Sequence, residues 1–134
     1  MTCKHLVAFA VIPLLLFACS KEPGVGGKST LSGKVYVIEY SNNTGQPTGD
    51  EYYSPEHRVY IRYGGNPFHD DDVRTGPDGL YKFDWLRKGS YTVFAYGECP
   101  TCESGQIAVE KSVEIGSNNE VLEVNDIVVE NWVN

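Results

Sequence analysis

Apolar and polar residues alternate in short runs along most of this chain, and the runs are broken by glycine, proline, asparagine and aspartate. A period of two marks strands with one buried face, and no long segment shows the 3.6-residue period of a helix. The runs predict strands at Leu31 to Tyr40, His57 to Tyr63, Asp71 to Thr75, Leu80 to Asp84, Ser90 to Glu98, Gln106 to Ile115 and Val121 to Val129. About seven strands in some hundred residues is the size of a β-sandwich. The predicted class is therefore all-β, a single sandwich. Turn chemistry agrees. In Gly76-Pro77-Asp78-Gly79 the proline presets the second turn position and glycine suits the fourth, so a tight turn should join two strands. Gly116-Ser117-Asn118-Asn119 is a second turn signal, and Ser41 to Glu56 reads as a long loop.

The start of the chain follows another pattern. Lys4 and His5 precede an apolar run from Leu6 to Ala18, interrupted by Pro13 and ending at Cys19. The run falls short of the about 20 apolar residues that span a bilayer, and its charged start and small residue at the end describe a secretory signal peptide. Leu16-Phe17-Ala18-Cys19 resembles the lipobox of bacterial lipoproteins. That resemblance implies cleavage before Cys19, lipid on its thiol, several acyl chains in all (palmitate among them), and a place in the cell envelope. Ser20 after the cysteine resembles lipoproteins sorted to an outer membrane, with the periplasmic or outward side left open. The expected organisation is a signal peptide over 1–18, a flexible Gly/Ser/Lys tether over 19–30 carrying lipidated Cys19, and a folded domain over 31–134.

Removing the first 18 of 134 residues also removes Lys4, so the formal charge moves from −7 to −8. An acidic chain without a Lys/Arg cluster is unsuited to nucleic acid, whose phosphates require concentrated positive charge. The same balance argues against electrostatic binding to an anionic membrane surface, so membrane attachment rests on lipid, which holds firmly only with more than one acyl chain.

Asp78-Gly79-Leu80-Tyr81-Lys82-Phe83-Asp84-Trp85-Leu86-Arg87-Lys88-Gly89-Ser90-Tyr91-Thr92-Val93 resembles the signature D-G-x-Y-x-F-x-x-L-x-x-G-x-Y-x-V of the carboxypeptidase-regulatory-like, transthyretin-like and collagen-adhesin B-type sandwiches. Ser32-Gly33-Lys34-Val35 and Val59-Tyr60-Ile61 resemble the first two strands of these domains. Within the motif Tyr81, Phe83, Leu86, Tyr91 and Val93 are expected to share one core. Some relatives carry a Lys-to-Asn crosslink promoted by an acid. Lys34, Asn125 and Asn131 are present here, but Ala95 stands where the acid would be.

Candidate chemistry is sparse. Asp70, Asp71 and Asp72 offer oxygen ligands but lack the spacing and mid-loop glycine of a calcium loop, so a solvated acidic loop is the plainer reading. No arrangement activates a serine as a nucleophile. Gly24 to Ser29 superficially matches a phosphate loop without the strand and helix that one needs. No cofactor pattern is present. More informative is the second face of the strands. If Val35 and Val37 point inward, Tyr36 points out, as do Tyr60, Phe94 and Tyr96, while Tyr52 and Tyr53 lie in the long loop. Aromatic groups on a surface can stack on a sugar or protein while a hydroxyl bonds, and these six are the candidate ligand contacts; alternatively they pack against the loop.

The cysteines frame the functional alternatives. With Cys3 lost and Cys19 lipidated, Cys99 and Cys102 are each other's sole partners, and an oxidising envelope favours their disulfide. A thioredoxin-type centre needs a helix beginning at the first cysteine, yet the alternating Ile107, Val109 and Val113 read as strand. Zinc would require about four ligands. Two functions emerge. One is a non-catalytic, lipid-anchored envelope module with a structural, adhesive or protein- or glycan-binding role. The other is a small extracytoplasmic thiol-redox or metal-binding protein working through Cys99 and Cys102.

Overall fold

A computed structural model describes residues 21–134 as nine β-strands in two facing sheets. Among the described residues no helix is long and apolar enough to cross a membrane. Strand β1 (Val25–Ser41) is the spine of the first sheet. Its first half lies between antiparallel β5 (Leu80–Leu86) and parallel β8 (Val121–Glu123). Its second half lies between antiparallel β2 (Pro47–Tyr53) and parallel β9 (Ile127–Val133). The second sheet is antiparallel throughout, in the order β4 (Asp71–Arg74), β3 (Arg58–Tyr63), β6 (Gly89–Glu98), β7 (Gln106–Ile115).

The core forms where period-two patterning directs it. Leu31, Val35 and Val37 of β1 and Ile127 and Val129 of β9 are buried against Val59 and Ile61 of β3 and Val93 and Ala95 of β6. The signature residues Tyr81, Phe83, Leu86, Tyr91 and Val93 are all buried in that core, as their spacing predicts. Gly76 accepts a hydrogen bond from the amide of Gly79, closing the tight turn before β5. Gly79 adopts φ 77°, a conformation that favours glycine.

Three boundaries differ from the sequence expectation, each for a physical reason. First, β1 starts at Val25, so the second half of the expected tether is strand. It is held by polar contacts that hydropathy cannot register. The fully buried Ser29 hydroxyl donates to the Ser117 carbonyl and accepts from the Glu120 amide. The Gly24 amide donates to the Tyr91 hydroxyl, which itself donates to the Arg87 carbonyl. Second, the long loop contains β2, an edge strand exposed at every position. Its existence rests on backbone pairing with β1 and on the hairpin turn through Gly45, not on burial. Third, the last predicted strand is two, because the chain shifts at Asn125-Asp126 from the first half of β1 to the second. The Gly116 to Asn119 segment is a crossing between sheets, docked on β1 through the Lys28 amide and the Asn118 carbonyl.

Candidate functional site

The register of the second sheet assembles an aromatic group on its outer face. Tyr60 of β3 pairs with Phe94 of β6, and alternation turns both outward with Tyr96. The Tyr60 and Phe94 rings stack 5.2 Å apart, while Tyr96 and His69 meet the Tyr60 ring edge-on at 5.7 and 4.8 Å. Arg62 lies 5.4 Å from the Phe94 ring centre and is paired with Glu110, and Arg58 is paired with Asp72. Phe94 is only 7% exposed, so it is the floor of this group and not the open contact expected of it. Tyr96, at 41%, presents the open ring.

Beside this platform is a cleft of about 410 Å³ edged by Tyr60, Tyr96, Arg58, Arg74, Glu56 and Gln106. A second hollow of about 250 Å³ adjoins it, sharing His57, Tyr96 and Gln106 and reaching Tyr52, Glu98 and Asn131. Together they form a groove that runs from the outer face of the second sheet to the opening between the two sheets. His57 shapes its floor. Its Nε2 lies 3.0 Å from the Tyr96 carbonyl oxygen, which can only accept, so Nε2 carries the proton and Nδ1 faces the Ser54 hydroxyl at 3.3 Å. With both ring nitrogens committed, His57 acts as a strut between the β2–β3 corner and β6. Thr75 completes that corner by accepting from the His57 amide and donating to the Ser54 carbonyl. Arg74 donates to the Glu56 carbonyl and, among the described residues, pairs with no carboxylate. Its remaining donors are free for a ligand.

The other predicted aromatics divide. Tyr52 edges the groove. Tyr36 and Tyr53 instead share the outer face of the first sheet, with rings 5.0 Å apart. Their polar atoms are engaged locally: the Tyr53 hydroxyl donates to Asp126, and the Lys34 ammonium sits 4.7 Å over the Tyr53 ring. Hydrogen bonding to Glu51 and to Asp126 raises the hydroxyl pKa of Tyr36 and of Tyr53, respectively, above the usual 10.0. The Asn131 amide is bonded to Glu39, and Ala95 is fully buried. Sequence reasoning missed Arg74, Glu56 and Gln106. Alternation placed Arg58, Tyr60 and Arg62 on one face, but nothing in it indicates which strand lies alongside.

The acidic run is occupied by structural bonds. Asp70 accepts from the Tyr63 amide and the Asn66 side chain, Asp71 from the Asp72 amide, and Asp72 pairs with Arg58. Among the described residues no cluster of three or more metal-capable side chains occurs. Cys19 lies outside the described residues. Cys99 and Cys102 are joined in a disulfide at the exposed tip of the β6–β7 hairpin. The Cys102 amide donates to the Cys99 carbonyl, and the Cys99 amide to Gly105. No helix follows the pair, whereas Glu98 and Gln106 at the hairpin base edge the groove. The bridge thus clamps a turn next to the groove wall. Its reduction is expected to cost at most about 2 kcal/mol, because so short a loop confines little chain entropy. Urea unfolding with and without dithiothreitol measures this, and global unfolding on reduction would assign the pair a larger role.

No family model and no curated protein sequence matches the chain. Among solved structures it is similar to a "putative carbohydrate binding protein" from Pseudomonas aeruginosa, with a TM-score of 0.51 and 12% sequence identity over 86% of this chain and 94% of that one. The likeness is one of fold, a two-sheet all-β sandwich.

Proposed function

We propose that this protein is a non-catalytic, lipid-anchored module of the bacterial cell envelope that binds a glycan in the groove beside Tyr60 and Tyr96. The observation that carries the binding reading is the groove itself. It combines an open aromatic ring with the guanidinium of Arg74, which pairs with no carboxylate among the described residues, the carboxylate of Glu56 and the amide of Gln106. Sugars present C–H faces that stack on such rings and hydroxyls that take directional bonds from such groups. The carbohydrate-binding description of the structural neighbour supports the same class of ligand. Resemblance to carboxypeptidase-regulatory-like and transthyretin-like domains fits an accessory, non-catalytic role, the lipobox-like residues ending at Cys19 support the anchor, and Ser20 after it supports an outer-membrane address. A thiol-redox role is disfavoured by the disulfide's place in a hairpin without an adjoining helix.

The test is a glycan array probed with the mature chain carrying Cys19→Ser, followed by calorimetry on any hit. Tyr96→Ala and Arg74→Ala should each weaken binding about tenfold or more, the scale of one lost stacking or charge-assisted contact. Tyr36→Ala, on the opposite sheet, should leave affinity unchanged. Binding lost with Tyr36→Ala and retained with Tyr96→Ala would move the site to the first sheet, and an array without hits would remove the glycan reading.

A further inference from the structure

Trp85 stands out among the residues that the groove does not use. It is 65% exposed and has φ 61°, a left-handed conformation that bulky side chains rarely adopt. A strained backbone that holds a large apolar ring in water calls for a partner that covers the ring. Trp85 sits where β5 ends, next to Val25, which is 57% exposed and shares a hollow with it. Val121, 80% exposed, pairs with Thr30 on the other flank of β1, and Phe68, 79% exposed, lies in the β3–β4 loop.

Trp85, Val25 and Val121 lie at one end of the sandwich, where the β3–β4 loop also begins at Gly64. There the Arg87 amide donates to the Gly24 carbonyl, the Gly64 amide to the Ser90 carbonyl, and the Lys28 amide and Lys88 amide both to Asn118. The same knot brings together Lys28, Arg87 and Lys88, with Lys21 immediately before it in the chain, so four of the protein's 11 basic residues gather at this end. Acids are interspersed with them: Glu22, Glu120, which is bonded to the Gly116 amide, Glu114, which accepts from the Ser90 hydroxyl, and Asp71 and Asp84, which line the hollow shared by Trp85 and Val25. An exposed Trp at the edge of an apolar patch is the kind of residue enriched at membrane–water interfaces.

The chain itself identifies the occupant. Gly24 is buried and held by the Tyr91 hydroxyl, and it is only five residue steps from Cys19. Fully extended, that link spans at most about 18 Å. We infer that the Trp85 end of the domain lies against the lipid surface, with Trp85 and Val25 entering the headgroup region. This rests on the anchoring reading of Cys19. The domain would then stand upright on the membrane, not swing on a long tether. Tyr96, Gln106 and the β6–β7 hairpin lie toward the opposite end of the sandwich, so the groove would face away from the bilayer.

The protein contains two tryptophans, which supply an internal control. Trp132 pairs with Tyr40 near the far end of β1 and stacks on its ring at 5.1 Å. Full-length lipidated protein carrying Trp132→Phe, leaving Trp85 as sole reporter, and Trp85→Phe, leaving Trp132, would each be reconstituted in phosphatidylethanolamine/phosphatidylglycerol vesicles containing brominated acyl chains. Circular dichroism would confirm folding of both. Trp85 emission should be quenched several-fold more than that of Trp132. Vesicle-bound, lipidated protein with Trp85 unquenched, or with both residues quenched equally, would overturn the inference while leaving the anchor intact. Mass spectrometry finding no lipid on Cys19 would instead overturn the anchoring reading and this inference with it.

Discussion

Gly97→Val is expected to destabilise the protein by about 3 kcal/mol and to abolish binding in the groove. Gly97 lies on β6 where the two sheets approach most closely near the groove, and its own backbone angles are ordinary, so the requirement is for space. A Cβ placed there would lie 2.9 Å from the Glu130 amide nitrogen and 3.0 Å from the Val129 Cβ, both on β9. Neither can yield by a rotamer change, because one is backbone and the other is a side-chain root. Relief requires β6 and β9 to move apart, and overpacking of this kind costs about 1 to 3 kcal/mol or more. The flanking residues transmit the movement. Tyr96 presents the open ring of the groove, and the Glu98 carboxylate accepts from the Trp132 amide on β9, tying the sheets together. Urea denaturation gives the stability change, and calorimetry with the hit glycan gives the binding change. Wild-type stability in Gly97→Val would show that the sheets are more loosely apposed than this spacing implies.

The contrast between the core and the groove shows what a sequence read by pattern can deliver. Tyr81, Phe83, Tyr91 and Val93 are buried because alternation is itself the physical cause of their burial, so pattern and structure report the same fact. Strand β2 shows the reverse case. All seven of its residues are exposed, and only hydrogen bonds to β1 make it a strand, a cause that leaves no hydropathy signature. The start of β1 is similar, since Ser29 and Gly24 are fixed by Ser117, Glu120 and Tyr91, each distant in sequence. The candidate site lies between these extremes. Tyr60 and Tyr96 were legible as outward aromatics. Their joining to Arg74, Glu56 and Gln106 depends on the β4-β3-β6-β7 order and on the His57 strut, which only tertiary structure supplies.

The same long spine organises both ends of the molecule. Strand β1 runs from the knot of Gly24, Tyr91 and Arg87 to the stack of Tyr40 on Trp132, and both sheets follow its length. With Gly24 at one end and the β1–β2 and β6–β7 hairpins at the other, the fold would separate the proposed lipid attachment from the proposed recognition. This separation matters because the groove takes its shape from backbone bonds at the β2–β3 corner, which are remote from the residues nearest Cys19. Changes such as Trp85→Phe are therefore expected to leave the groove intact, which is why the membrane and glycan experiments can fail independently.

Alkaline pH should unfold this protein, with stability declining progressively above about pH 10, and Tyr81 is the principal cause. Its ring is 1% exposed, and its hydroxyl has no hydrogen-bond partner among the described residues. Burial, aided by the nearby Asp126 carboxylate, pushes its pKa far above the usual 10.0. Tyr91 is raised by burial too, although its bonds to Gly24 and Arg87 and the Arg87 charge act in the opposite direction. Above pH 10.0 the unfolded chain releases the Tyr81 proton while the folded protein keeps it. The unfolded state then binds fewer protons, so stability falls with rising pH, by about 1.4 kcal/mol per pH unit for this one group. Below that pH both states are protonated and the contribution is constant. Tyr81→Phe removes the titrating group together with a buried hydroxyl that lacks a protein partner, a change that is near neutral or stabilising at neutral pH. Urea midpoints measured across the alkaline range should therefore diverge, the wild type falling more steeply than Tyr81→Phe by that slope. Parallel profiles for the two proteins would show that Tyr81 ionises in the folded state and that the hydroxyl reaches solvent or a bound water.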